Sequence, residues 1–254
     1  WKTGIAEICE NDEKLTELLK QINILKSLGC DILRFAVPDV KSAKSLVRIQ
    51  NNTDMPLVAD IHFDHRLALE CLKGNVAAIR INPGNIGNRK KVEEVVCACR
   101  EKGAAIRIGV NSGSLPKDLA EKVENGQISR ADALAETAAR EAAVFEELNF
   151  DQYVVSMKAS SVQETIEANE SFAKKYDIPL HIGVTEAGPL ITGIVKSTMA
   201  FTRLLNEGIG STIRVSLSSS PENEVITGRE ILHETGKRKG GVTIVSCPRC
   251  GREG

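Results

Sequence analysis

The chain has 254 residues, 42% hydrophobic and 26% charged, a balance that fits a folded globular protein and excludes a disordered or collagen-like polymer. A formal net charge of −1 and an aromatic content of 4% offer neither the positive field nor the stacking surface of a nucleic-acid binder. No stretch approaches the roughly 18 uncharged apolar residues of a membrane span, and no basic-then-apolar signal segment opens the chain. It begins with Trp1 rather than Met, as a processed form or a fragment would. The seven cysteines are an odd number and too sparse for a disulfide scaffold. Five of them, Cys9, Cys30, Cys71, Cys97 and Cys99, are scattered and fit reduced thiols of a cytoplasmic protein.

In chain order, NDEKLTELLKQINILKSLG places Leu15, Leu18, Leu19, Ile22 and Leu25 on one helical face and stops at Gly29. DILRFAV (31–37) and LVADIHF (57–63) are strand-like, and DHRLALECLKG predicts a helix capped by Asp64 and ended by Gly74. AAIRIN (77–82), AIRIGVN (105–111) and QYVVSMK (152–158) are further strands, and SSVQETIEANESFAKKY opens with a capping box from Ser161 to Glu164. HIGVT (181–185) and STIRVSLS (211–218) complete seven strands, and PENEVITGREILHETG predicts a last helix. KRKGG (237–241) then resembles a linker, and VTIVSCPRC begins something new, so a first domain over 1–240 and the start of a second over 241–254 are expected.

Strand–helix alternation with short links dictates parallel strands joined by right-handed crossovers. Seven strands are one short of a (β/α)8 barrel. Because the first element is a helix, the expected fold is an α/β TIM barrel whose first strand is missing from this chain. An open doubly wound sheet is the other architecture, but no G-x-G-x-x-G turn follows a strand.

Residues at i and i+2 of a strand share a face. One face here is aliphatic: Leu33, Ile61, Ile79, Ile81, Ile106, Ile108, Val110, Val155, Met157, Ile213 and Val215. The other carries Arg34, Asp60 with His62, Arg80 with Asn82, Arg107 with Asn111, Ser156 with Lys158, and Arg214 with Ser216; Glu186 follows the HIGVT strand. Inward positions at the C-terminal ends of barrel strands form the floor of an active site. A single arginine there is as readily a rim ion pair. Five cations on five strands, against Asp60 and Glu186, leave a positive surplus that an anionic ligand resolves, and guanidinium geometry suits phosphate oxygens.

The turns RINPGNIG (80–87) and RIGVNSGSL (107–115) can turn backbone N–H groups toward such an anion. His62 and Glu186 are the candidate proton carriers, with hydrogen-bonded or ion-paired structural roles as the plainer alternative. His65, His181 and His233 lack such a setting and are expected to be structural or exposed. Cys247 and Cys250 form a C-x-x-C pair that spacing alone leaves open between zinc, a redox dithiol and an iron–sulfur site.

Together DILRFAVPD, ADIHFD, RINPGNIG, RIGVNSGSL, SMKAS, GVTEAG, IRVSLS and SCPRCGR resemble, in order and over about Asp31 to Arg252, the 4-hydroxy-3-methylbut-2-enyl diphosphate synthase family of the non-mevalonate isoprenoid route. The resemblance implies a substrate barrel followed by a small [4Fe–4S] domain, with Cys247 and Cys250 as two of the cluster's ligands. It implies reductive ring opening and dehydration of 2-C-methyl-D-erythritol 2,4-cyclodiphosphate, with electrons from ferredoxin or flavodoxin. The family's functional positions match Arg34, Asp60, His62, Arg80, Asn82, Arg107, Asn111, Lys158, Glu186, Arg214 and Ser216. Of these Glu186, His62 and Asp60 are the catalytic candidates. The resemblance further implies a homodimer in the cytoplasm, or in the plastid stroma of a plastid-bearing source. A chain that stops at Gly254 holds only half of the cluster's ligands and is expected to be inactive alone. The rival readings are a pterin-binding, dihydropteroate synthase-like transferase barrel and a non-enzymatic zinc-knuckle fragment.

Overall fold

A computed structural model describes residues 4–239. Cys247, Cys250 and the expected boundary near Gly240 therefore lie outside the described residues.

After a short 3-10 turn, α1 (Asp12–Ser27) starts where the Asn11 side chain accepts from the Lys14 N–H, and it buries Leu15, Leu18, Ile22 and Leu25 as its spacing predicts. There follow β1 (Leu33–Ala36), α2 (Val40–Gln50), β2 (Leu57–Asp60), α3 (His65–Cys71), β3 (Ala78–Ile81), the single turn α4 (Pro83–Ile86) and α5 (Arg89–Lys102). The second half comprises β4 (Ala105–Asn111), α6 (Lys117–Glu124), α7 (Arg130–Glu147), β5 (Tyr153–Lys158), α8 (Val162–Ala173), β6 (His181–Ile182), α9 (Leu190–Asn206), β7 (Thr212–Ile213) and α10 (Pro221–Glu234). Asp64 caps α3 and Ser161 caps α8, both as the sequence indicates.

The strands β1 to β5 form one parallel sheet in sequence order, and β6 pairs with β7 in a second. A parallel bridge between Val155 and Leu180 carries the curve from β5 to β6. This is the sequential, all-parallel order of a TIM barrel. Among the described residues β1 and β7 do not pair, which leaves a seam. All the strands but β4 are shorter than the sequence suggests. β2 stops at Asp60; the Ile61 N–H still donates to the Arg80 carbonyl, but His62 and Phe63 turn away, and β6 and β7 keep only two paired residues each.

The aliphatic strand face packs under the helices: Leu33, Ile61, Ile79, Ile81, Ile106, Ile108, Val110, Val155 and Met157 are each no more than 2% exposed. Asn169 of α8 donates to the Met157 carbonyl, and Thr165 donates to the Ala159 carbonyl, pinning the end of β5. Inside the barrel the lower layer is small. Ala78 and Ala105, with Val58, Val154, His181 and Thr212, line a cavity of about 800 Å³ that opens along the seam and also touches Arg34, Arg107 and Arg214. Among the described residues no helix is long and apolar enough to cross a membrane.

Candidate active site

Parallel register brings the polar residues to one level. Ala36 lies beside Asp60, Asp60 beside Arg80, Arg80 beside Arg107, and Asn111 beside Lys158. Asp60 is the single buried acid among the described residues, whereas Arg80, Arg107 and Lys158 are all less than 9% exposed. The Asp60 carboxylate accepts from Arg34 at 3.0 Å and from Arg80 at 3.2 Å, and it lies 3.7 Å from His62 Nε2. Burial alone would raise the Asp60 carboxyl, but Arg34, Arg80, His62 and Arg107 outweigh it and hold it below the usual carboxylate range.

The remaining cations have no carboxylate in direct contact. Among the described residues Arg107, Lys158 and Arg214 form no salt bridge, and the buried Arg107 Nε has no hydrogen-bond partner. Burial first, then repulsion from Arg34, brings the Arg107 guanidinium down to about 9; burial and Arg214 bring Arg34 down to about 10. Both stay cationic at neutral pH. Lys158 is pushed well below the ordinary lysine range by burial, then by Arg107, Arg214, Arg34 and Arg80. A cluster that forces down the affinity of its own bases for protons is one that an anion stabilises.

Two glycines make this crowding possible. At Gly109 of β4 an added Cβ would stand 2.3 Å from Arg80 Nε, so only glycine lets Arg80 lie across the strand and donate to the Gly109 carbonyl at 3.4 Å. At Gly183 it would stand 3.0 Å from the Arg214 carbonyl oxygen and 3.1 Å from Lys158 Cε and Nζ. Neither glycine stands out in the sequence. Each lies two residues from a polar inward position, where a small side chain leaves room for a large neighbour.

The other site residues take distinct places. Asn82 is buried, and its side chain accepts from the Gly84 N–H at 3.1 Å, which fixes the turn after β3. Glu141 of α7 also accepts from the Gly84 N–H; burial raises its carboxyl and that N–H offsets part of the rise. Asn111 closes β4, and Ser216 follows Arg214 after β7. His62 and Glu186 are exposed on the rim rather than in the floor, and Glu186 holds a left-handed backbone with φ of 49°.

His181 differs from its expectation as a structural or exposed residue without a site context. It is 7% exposed, on the inward face of β6, with Nδ1 2.8 Å from Thr212 Oγ1 and a buried Nε2 that has no partner. Burial, then Lys158, Arg107, Arg34 and Arg214, push it well below the usual histidine range, so the ring is neutral. The alternation that placed Lys158 inward holds for His181 too, but a histidine opening a short strand gives no signal of its own. Among the described residues no three His, Cys, Asp or Glu side chains could hold a metal ion, and burial pushes the Cys71 and Cys99 thiols up to about 12. The barrel's residues suit an anion rather than a cluster.

A family model described as the GcpE TIM-barrel domain matches residues 8–229. A protein of Treponema denticola named 4-hydroxy-3-methylbut-2-en-1-yl diphosphate synthase (flavodoxin) is 60% identical, over 94% of this chain and 66% of its own length. Proteins of the same name from Treponema pallidum and Clostridium acetobutylicum are 57% and 49% identical, over 94% and 95% of this chain and 61% and 68% of their own. The chain thus spans about two thirds of the length of these relatives. Among solved structures, the Yersinia pestis dihydropteroate synthase superposes with a TM-score of 0.58 at 13% identity, over 88% of both chains. A type I 3-dehydroquinate dehydratase from Clostridium difficile gives 0.55 at 18%, over 88% of this chain and 87% of that one. At such identities the likeness is one of fold alone.

Proposed function

Because the chain belongs to the GcpE TIM-barrel domain family, we propose that it is the substrate-binding barrel of a 4-hydroxy-3-methylbut-2-enyl diphosphate synthase. The reaction is the two-electron reductive opening of 2-C-methyl-D-erythritol 2,4-cyclodiphosphate, with loss of water and with flavodoxin as donor. One observation carries the reading: Arg107, Lys158 and Arg214 stand without carboxylate partners beside the Arg34–Asp60–Arg80 network. A diphosphate supplies the charge that this arrangement lacks.

In this reading the unpaired cations hold the diphosphate and stabilise the charge that grows on it as the ring C–O bond breaks. Asp60 keeps Arg34 and Arg80 extended toward the same space. Asn82, Asn111 and Ser216, at the mouths of β3, β4 and β7, orient the carbon skeleton through its hydroxyls. Glu186, exposed on the rim, delivers the proton that lets a hydroxyl leave as water, and His62 beside Asp60 assists it. A [4Fe–4S] cluster held in part by Cys247 and Cys250 would supply the electrons one at a time.

We place the protein in the cytoplasm and read it as a homodimer. The apolar residues Ile191, Val195 and Met199, exposed by 73%, 51% and 58% along one stripe of α9, support the latter. The pterin-transferase reading has only the shared fold behind it.

The test uses anaerobically purified full-length protein with reduced flavodoxin and the cyclodiphosphate. Conversion to the open-chain diphosphate, with iron bound in stoichiometric amount, is the expected result. Stoichiometric zinc without iron, or no turnover by iron-loaded protein, would sink the assignment.

A further inference from the structure

Lys158 carries a second consequence. Its amine lies at the end of β5, in a residue 7% exposed, and makes no hydrogen bond or ion pair with any described residue. Charged groups surround it, Arg107 on the neighbouring β4 and, from further round the barrel, Arg214 after β7, Arg34 on β1 and Arg80 on β3, with the neutral His181 on the adjoining β6. The acid of the floor, Asp60 on β2, is taken by Arg34 and Arg80, and the Lys158 amine packs over Gly183, where a Cβ would stand 3.1 Å from it. A desolvated lysine surrounded by cations gives up its proton readily and becomes a nucleophilic amine, while the same cations gather anions around it.

We propose that Lys158 is a covalent capture site for small phosphorylated aldehydes and ketones. The guanidinium groups bind the phosphate, and Nζ adds to the carbonyl carbon to give a carbinolamine. Loss of water from that adduct leaves a C=N imine. The step is reversible and consumes no oxidant or reductant, so such compounds block the anion site until they dissociate. Borohydride makes the bond permanent: hydride adds to the imine carbon and water supplies a proton to nitrogen, giving a secondary amine. Burial and the surrounding charge both act to lower the proton affinity of Lys158, which keeps its amine free at pH values where surface lysines are protonated.

This inference rests on the anion site proposed above, and its test separates the two. The protein is incubated at pH 7 with glycolaldehyde phosphate and borohydride, then digested and mapped by mass spectrometry; glycolaldehyde serves as the neutral control. Lys158 should be labelled several-fold faster than any surface lysine, the free amine being the form that adds to the carbonyl. Inorganic pyrophosphate should suppress that label, and the neutral aldehyde should show little preference for Lys158. Lys158→Arg should lose the label at that peptide and keep the others. If calorimetry shows pyrophosphate bound but Lys158 is labelled no faster than surface lysines, the capture site is wrong and the anion site stands. If pyrophosphate neither binds nor protects, both are wrong.

Discussion

Replacing Gly109 by alanine probes the packing on which the cation cluster depends. The new Cβ would stand 2.3 Å from Arg80 Nε, 2.5 Å from Nη2 and 2.7 Å from Cζ. Ordinary contact is about 3.5 Å, so the methyl group intrudes by roughly 1 Å on three atoms of one guanidinium. Arg80 has to leave, and with it goes the 3.2 Å bond to Asp60. Overpacking costs about 1–3 kcal/mol, and a lost hydrogen bond between charged groups about 1.5–3 kcal/mol more. A total near ~4 kcal/mol corresponds to a melting point lower by about 8 °C in a chain of this size. Pyrophosphate binding should also weaken at least about tenfold, since Asp60 is then free to pair with a neighbouring cation.

The assay is thermal melting with and without pyrophosphate at low salt, with titration calorimetry for affinity. Gly113→Ala is the control, because a Cβ there meets nothing within 4 Å and the same chemical change should leave the melting point nearly unmoved. A Gly109→Ala protein that melts and binds as the wild type does would refute the placement of Arg80 across β4.

Other substitutions divide stability from binding. Asp60→Asn leaves Arg34 and Arg80 without their shared carboxylate and should cost about 3 kcal/mol in denaturant unfolding, in the range for a broken buried pair. Lys158→Met removes a buried amine that has no partner among the described residues, so the ligand-free protein should melt higher while pyrophosphate stabilises it less than the wild type. An anion bound at Lys158 raises its depressed pKa, so binding takes up a proton and affinity falls as pH rises; calorimetry in buffers of different ionisation heat reads the uptake directly. His181 is held neutral when folded and titrates near 6.5 when unfolded, so below that pH the unfolded chain binds the extra proton and stability drops as pH falls. His181→Gln should flatten that part of the stability–pH curve.

The polar floor was legible because strand alternation is a strict rule. Once DILRFAV, AAIRIN and AIRIGVN are strands, Arg34, Arg80 and Arg107 must share the face opposite the aliphatic residues. The parallel order followed from the βα rhythm. Three features did not follow. The alternation treats Asp60 and His62 alike, yet the ladder ends at Asp60 and His62 swings out to the rim. Gly109 and Gly183 act through what they leave empty, which depends on cross-strand register and on the path of Arg80 and Lys158. The seclusion of His181 depends on a barrel interior kept open by Ala78 and Ala105, a property of the assembled layer rather than of one segment.

The most direct measurement is calorimetric titration of the protein with 2-C-methyl-D-erythritol 2,4-cyclodiphosphate, beside Arg107→Ala. The buried Arg107 guanidinium has no acidic partner among the described residues, so its removal leaves no orphaned acid and its loss should appear in binding rather than in folding. Saturable binding that weakens at least about tenfold in a variant that is still folded is the expected result, a charge-assisted contact being worth about 1.5–3 kcal/mol. Absence of binding to the intact barrel, or equal affinity in the variant, would contradict the assignment of this cation cluster as the diphosphate site.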